Sequence, residues 1–161
     1  MKSRLKITSI MLLFALVLSV MPALALPEQA SAAACYQAQF VSDVTVPDGT
    51  KYNANTAFKK TWKLKNIGTC AWTTSDTMIF DSGAPMGAPA SVALPSAVAV
   101  GATVDVSVDM KAPNSAGRYI GYWKFKSSSG TVFGIGVNAN KAWWVEINVV
   151  GSSSTGSVVL D

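Results

Sequence analysis

Histidine is absent from the 161-residue sequence, and only two cysteines and nine acidic residues are present. The absence of histidine removes the commonest general base and metal ligand in proteins, and no serine can be activated by an imidazole. The acids are scattered, whereas glycoside hydrolysis needs two carboxylates in a cleft. No glycine-rich loop precedes a helical pattern. These absences argue against an enzyme and against a metal or cofactor site.

The first 34 residues have the pattern of a secretory signal peptide. Three basic residues precede an apolar run over residues 7–26, and small residues follow. The run is long enough to span a membrane, but an Ala-x-Ala site and the lack of a polar anchor beyond it favour cleavage. Cleavage after Ala25, Ala32 or Ala34 fits the pattern. We therefore expect an exported protein, secreted or held in the cell envelope.

Removal of residues 1–34 changes the charge balance. The whole sequence has 13 basic and 9 acidic residues, whereas residues 35–161 have 10 and 8, a net charge near +2. A charge this small does not point to nucleic acid as a partner. The remaining 127 residues suffice for one domain with its own core, which we take as monomeric by default.

Cys35 and Cys70 both lie beyond the predicted leader. In an oxidising compartment they would form a disulfide, worth roughly 3–4 kcal/mol in the loop-entropy model. The alternative is a lipoprotein anchored to the membrane at Cys35. Ala32, three positions earlier, is smaller than the residue usual there, and Cys70 would be left as an odd thiol. The sequence favours the disulfide.

Beyond the leader, the sequence consists of short apolar-alternating segments separated by turn residues, without a helical period. We predict strands over residues 39–46, 56–66, 72–80, 103–110, 118–126, 131–137 and 142–149. Residues 47–50 predict a turn, residues 83–95 a connection between sheets, and residues 151–161 a flexible tail. The pattern indicates an all-β, immunoglobulin-like antiparallel sandwich of about seven to eight strands over residues 35–150, with Tyr119 pinning a corner.

The second predicted strand has two different faces. Phe58, Trp62 and Leu64 share an apolar face, which Lys60 interrupts near its open end. The opposite face carries three lysines: Lys59, Lys63 and Lys65. This basic stripe could contact an acidic protein or an anionic wall polymer. It is also typical of a solvated face or a protected edge strand, which is the interpretation we favour.

Five motifs in order resemble a known family. They are KTWKLKNIGTCAW at 60–72, APMGAP at 84–89, VDVSVDMKAP at 104–113, GYWKF at 121–125 and WWVEINV at 143–149. Together they resemble the immunoglobulin-like four-tryptophan domain, the central domain of selective-autophagy cargo receptors, which also occurs in exported bacterial proteins. The resemblance implies a non-catalytic protein-binding fold without a cofactor. It places the family tryptophans at Trp62, Trp72, Trp123 and Trp144.

These tryptophans differ in their expected exposure. Trp62 and Trp123 lie in register with apolar neighbours, so we expect them in the core. Trp72, at a loop edge, could be partly exposed. Alternation places Trp143 inward and Trp144 outward, whereas the resemblance favours Trp144 as the retained ring, which would need a bulge or a different packing surface.

Trp72 and Trp144 are therefore candidate binding residues, together with the basic stripe. The expected partner is a protein or peptide. The alternative is a glycan of the cell envelope, which would need two aligned, exposed rings. The sequence does not identify the partner.

Overall fold

The computed structural model describes residues 34–151. The predicted signal peptide and tail therefore lie outside the described residues, except for Ala34 and Gly151. Nine strands are present: β1 (Ala38–Asp43), β2 (Thr50–Asn53), β3 (Ala57–Asn66), β4 (Thr77–Gly83), β5 (Ser91–Ala93), β6 (Thr103–Lys111), β7 (Gly117–Lys126), β8 (Val132–Phe133) and β9 (Trp143–Val150). Over the same residues, no helix is long and apolar enough to cross a membrane.

The strands form two sheets, which confirms the all-β, immunoglobulin-like sandwich. One sheet has the order β1-β3-β6, and the other has the order β2-β9-β7-β4-β5, with β8 paired to β7. The β2–β9 pair is parallel. The other strand pairs among the described residues are antiparallel, as predicted for the sandwich.

Several elements differ from the predicted ones: the strand predicted over 39–46 ends at Asp43, β2 was not predicted, and three other regions differ as follows. The strand predicted over 72–80 begins at Thr77, because a turn over residues 73–76 precedes it, in which the Thr73 amide donates to Asp76 Oδ2 at 2.7 Å. The strand predicted over 131–137 is reduced to β8, since a tight loop follows, closed by a bond from Gly134 N to Ala139 O at 2.6 Å. The connection predicted over 83–95 contains β5.

Aromatic rings fill the space between the sheets. The Trp62 centroid lies 5.9 Å from that of Trp123 and 6.5 Å from that of Trp143, and all three side chains are fully buried. The predicted core positions of Trp62 and Trp123 agree with this packing. Burial of rings this large is a major contribution to the stability of a small sandwich.

A tyrosine hydrogen bond and a disulfide hold loops of the sandwich in place. The Tyr119 hydroxyl donates to the Ser115 carbonyl at 3.0 Å, as expected for a corner tyrosine. The structure contains a Cys35–Cys70 disulfide, which joins the segment before β1 to the loop after β3. The Cys70 amide also donates to the Cys35 carbonyl at 2.9 Å.

Candidate functional site

Trp72, one of the predicted binding residues, is buried in the structure. Its exposed fraction is 0%, and its ring centroid lies 4.9 Å from that of Phe125 and 5.6 Å from that of Phe133. The expectation of a partly exposed ring is wrong because the loop carrying Trp72 forms a bridge with Val98 that turns the ring inward. Trp72 therefore cannot contact a partner at the surface.

The predicted basic stripe belongs to a face on which opposite charges are paired. Lys59 Nζ lies 2.7 Å from Asp109 Oδ1, and Lys63 Nζ lies 3.8 Å from Asp105 Oδ1. Each pair joins residues directly opposite each other on β3 and β6, whereas Lys65 lies opposite Thr103. We call Lys59, Lys63, Asp105 and Asp109 the charged face. Its pairing favours the solvated-face interpretation over a cationic binding stripe.

Trp143 and Trp144 differ completely in their surroundings. Trp143 is fully buried, whereas 43% of Trp144 is exposed. The β7–β9 register continues through both residues without a shift, so alternation alone separates them and the bulge considered from the resemblance is not present. The role of Trp144 as a family tryptophan stays a prediction. Its position on the outer face agrees with its place among the candidate binding residues.

Trp144 forms one wall of a small pocket. The pocket has a volume of about 110 Å³ and is lined by Phe40, Asp43, Asp48, Ile135, Trp143 and Trp144. These residues come from β1, the turn before β2, the loop after β8 and the start of β9. We call this set the Trp144 pocket. It combines an exposed aromatic ring, aliphatic and aromatic walls, and two carboxylates.

Hydrogen bonds hold Trp144 at both its ring and its backbone. The indole Nε1 donates to Asp48 Oδ2 at 2.9 Å, and the Trp144 carbonyl accepts a bond of 2.8 Å from Trp62 Nε1. The turn carrying Asp48 is itself fixed to β9, because Gly49 N donates to Glu146 O at 3.1 Å. The ring is therefore positioned before any partner arrives, which lowers the entropy cost of binding.

Beside the pocket lies a buried lysine. Lys60 is fully buried, and its Nζ donates to Asp43 Oδ1 and, at 2.7 Å, to the Val46 carbonyl. The Nζ atom also lies 5.4 Å from the centroid of the Trp62 ring. Burial lowers the pKa of Lys60, and the hydrogen bond and charge of Asp43 oppose that shift.

The expectation that Lys60 interrupts the apolar face at an open end is therefore wrong. Lys60 is in phase with Phe58, Trp62 and Leu64, and all four side chains point into the core. The position of Lys60 on the apolar side of the alternation was the one sequence feature that indicated a buried lysine in need of a partner. Nothing in the spacing identified Asp43 as its partner, because the two residues meet only after β1 pairs with β3.

A second polar group flanks Trp144 on the outer face of the larger sheet. Arg118 donates to Glu146 through Nε and Nη2, each at 2.7 Å. This pairing lowers the pKa of Glu146 and raises that of Arg118. Tyr122 lies directly across from Trp144 on β7. The Arg118–Glu146 pair is thus neutral as a unit and exposed.

Phe40, Asp43, Asp48 and Ile135 were not identified from the sequence as site residues. Phe40 and Ile135 stand nearly a hundred positions apart, and no motif connects them. Among residues 34–151, no group of three or more cysteine or acidic side chains could hold a metal ion. The arrangement offers a rigid aromatic contact and hydrogen-bond acceptors, which are means of binding.

Residues 45–149 match the family described as "Ig-like domain from next to BRCA1 gene". Protein JOKA2 of Solanum tuberosum is 38% identical over 114 residues, which are 69% of this chain and 12% of JOKA2. Protein NBR1 homolog of Arabidopsis thaliana is 36% identical over 114 residues, 69% of this chain and 15% of that protein. Protein ILRUN of Danio rerio is 30% identical over 95 residues, 59% of this chain and 33% of ILRUN. The matched part of the chain thus spans a third or less of these relatives.

Proposed function

Because this chain belongs to the family of Ig-like domains from next to the BRCA1 gene, we propose that it is a non-catalytic recognition module that binds a protein or peptide at the Trp144 pocket. The observation that carries this proposal is the ring of Trp144, which is 43% exposed yet held by the bond to Asp48. Rigid aromatic side chains in pockets are the residues on which binding energy concentrates in protein interfaces.

The chemistry of the pocket supports binding rather than catalysis. Asp43 is engaged by Lys60, and Asp48 accepts a hydrogen bond from Trp144. A general acid or base needs a pKa matched to its task and access to the reacting group. Here both carboxylates serve to fix other side chains of the pocket. We therefore assign the site a recognition role.

Glycan binding is less well supported than protein binding. A sugar-stacking platform needs two aligned, exposed rings, and Trp72 is fully buried. Trp144 stands alone as an exposed tryptophan among the described residues. One ring in a pocket is the arrangement expected for a side chain or short segment of a protein partner.

Selection of a displayed peptide library against the immobilised protein tests the proposal. Selection against the native protein, with counter-selection on Trp144→Ala, should enrich sequences that bind the native protein at least about tenfold better than the variant, since a central aromatic anchor is worth 2 kcal/mol or more. Val100→Ala, which alters an exposed apolar side chain elsewhere, is the matched control and should bind like the native protein. Enriched peptides that bind Trp144→Ala equally well, or Trp144-dependent binding of glycans alone, would contradict it.

We propose further that the protein works outside the cytoplasm, either secreted or held in the cell envelope. The signal-peptide pattern and the Cys35–Cys70 disulfide support this, since disulfides persist in oxidising compartments. Intact mass measurement of the protein from its own cells, with and without reduction and alkylation, tests it. A chain beginning near residue 33 or 35, with both thiols blocked until reduction, is the expected result. An acylated chain with a free Cys70 thiol would instead mean lipidation at Cys35, and an uncleaved leader would contradict export.

A further inference from the structure

The charges around the Trp144 pocket do not cancel. Asp43 is paired with Lys60, and Glu146 is paired with Arg118. Asp48 lies in the same pocket wall, is exposed, and has no ion-pair partner within 4 Å among residues 34–151. Its Oδ2 atom accepts the indole N–H of Trp144, which leaves its second oxygen available to another donor. Two positive charges (Lys60, Arg118) and three negative ones (Asp43, Asp48, Glu146) therefore surround the pocket, which gives a net charge of −1.

This charge lies at the Nε1 edge of the partly exposed Trp144 ring, in a chain with 10 basic and 8 acidic residues beyond position 34. An indole ring attracts a cation over its face, most strongly among the aromatic side chains. A carboxylate adds a charge-assisted hydrogen bond, which is about twice as strong as a neutral one. Together, these two groups form a recognition site for a positive charge.

From this geometry we propose that the Trp144 pocket receives a basic side chain, lysine or arginine, from the partner segment. The proposal rests on the proposed function and specifies the chemistry of the partner. The aliphatic stem of the side chain would lie against Phe40 and Ile135, and its charged head would reach Asp48 beside the indole. Long basic side chains bury their stems on apolar surface in this way while the head stays polar.

Other side chains fit the pocket less well. An acidic side chain would be repelled by Asp48. An apolar side chain would contact the walls but would remove water from the Asp48 carboxylate without offering it a donor, which is costly. Lys60 and Arg118 lie close enough to interact with the charge of Asp48, but their hydrogen bonds go to Asp43 and Glu146, so neither donates to Asp48 beside the indole.

Nuclear magnetic resonance of the indole N–H signals tests the proposal with four acetylated and amidated tripeptides, Ala-Xaa-Ala. The central residue is lysine, arginine, norleucine or glutamate, and blocked termini leave the side chain as the source of charge. The Trp144 signal is assigned by its loss in Trp144→Phe. Lysine and arginine peptides should shift this signal with dissociation constants about tenfold lower than that of the norleucine peptide, and raising salt should reduce the difference.

Two variants make the test specific. In Asp48→Asn, whose amide oxygen can still accept the indole N–H, the preference for basic side chains should disappear. In Asp105→Asn, which removes an acid of the charged face, it should persist. Equal binding of norleucine and lysine peptides through Trp144 would overturn the basic-side-chain inference while leaving the recognition role intact. The basic-side-chain inference would also be overturned if the preference survived in Asp48→Asn, or if no peptide shifted the Trp144 signal. The recognition role is tested separately by the display experiment.

Discussion

The charged face and the region of the Trp144 pocket both contain lysine–aspartate pairs, but the pairs differ in burial. On the charged face, lysines of β3 meet aspartates of β6 directly across the sheet, and both members of the Lys59–Asp109 pair are exposed, at 59% and 79%. Beside the pocket, Lys60 is fully buried, and its partner Asp43 in the pocket wall is 19% exposed. Exposed pairs contribute little to stability and are screened by salt, whereas a buried pair depends strongly on both partners.

The difference shows why the number of charges in the sequence does not locate the proposed binding surface. Three lysines on one strand attract attention in the sequence, yet two of them are paired by the neighbouring strand. The pocket has two carboxylates beside apolar walls from separate segments of the chain, and one of them, Asp48, has no ion-pair partner within 4 Å among residues 34–151. Enclosure and charge imbalance together mark a site, and both arise only on folding.

The largest expected effect is a difference in stability between two tryptophan variants, one of Trp62 in the core beneath the pocket and one of Trp144 in the pocket wall. Trp62→Ala should lower the free energy of unfolding by about 3–5 kcal/mol, because a fully buried ring and the bond to the Trp144 carbonyl are both lost. Trp144→Ala should cost about 1 kcal/mol or less, since this ring is 43% exposed. Chemical denaturation of both variants measures the difference. Similar losses would mean that Trp144 is a core residue rather than a contact surface.

The next effect compares the two kinds of ion pair. Asp43→Ala should cost about 3 kcal/mol, since it leaves the buried ammonium of Lys60 without its carboxylate. Asp109→Ala, the matched change on the charged face, should cost about 1 kcal/mol or less. Adding Lys60→Met to Asp43→Ala should recover most of the loss, because the uncompensated charge is then absent. Equal costs for the two single variants would remove the energetic distinction between the two regions.

How far the sequence predicts this protein depends on the range of the interaction. The alternation in β6 and in β9 predicts which side chains point inward, including Trp143, because a strand's period of two is a local property. The corner role of Tyr119 is also local, since its hydroxyl reaches a carbonyl only four residues earlier. Such features can be predicted from a single segment.

The pocket could not be predicted in the same way. Trp144 was identified, but Asp48 is 96 positions away from it and meets it only through the parallel β2–β9 pair. The burial of Trp72 could not be decided from its own segment either, because its position depends on a bridge to Val98 in another loop. Long-range pairing decides these placements, and a sequence pattern within one strand contains no information about it.

The smallest expected effect is a pH dependence of the free energy of unfolding that arises from the buried Lys60 and not from the exposed lysines of the charged face. Burial lowers its pKa in the folded chain, so between that value and the ordinary lysine value of about 10.4 the unfolded chain binds more protons than the folded one. The free energy of unfolding should therefore rise with pH across this window, whereas below the folded pKa Lys60 adds no pH dependence because both states hold its proton. Denaturation at a series of alkaline pH values up to about 10.4, compared with the same series for Lys60→Met, isolates the contribution. Lys59→Met, on the charged face, should keep the native slope. If Lys60→Met also kept it, the rise would come from other groups, and burial would not lower the pKa of Lys60.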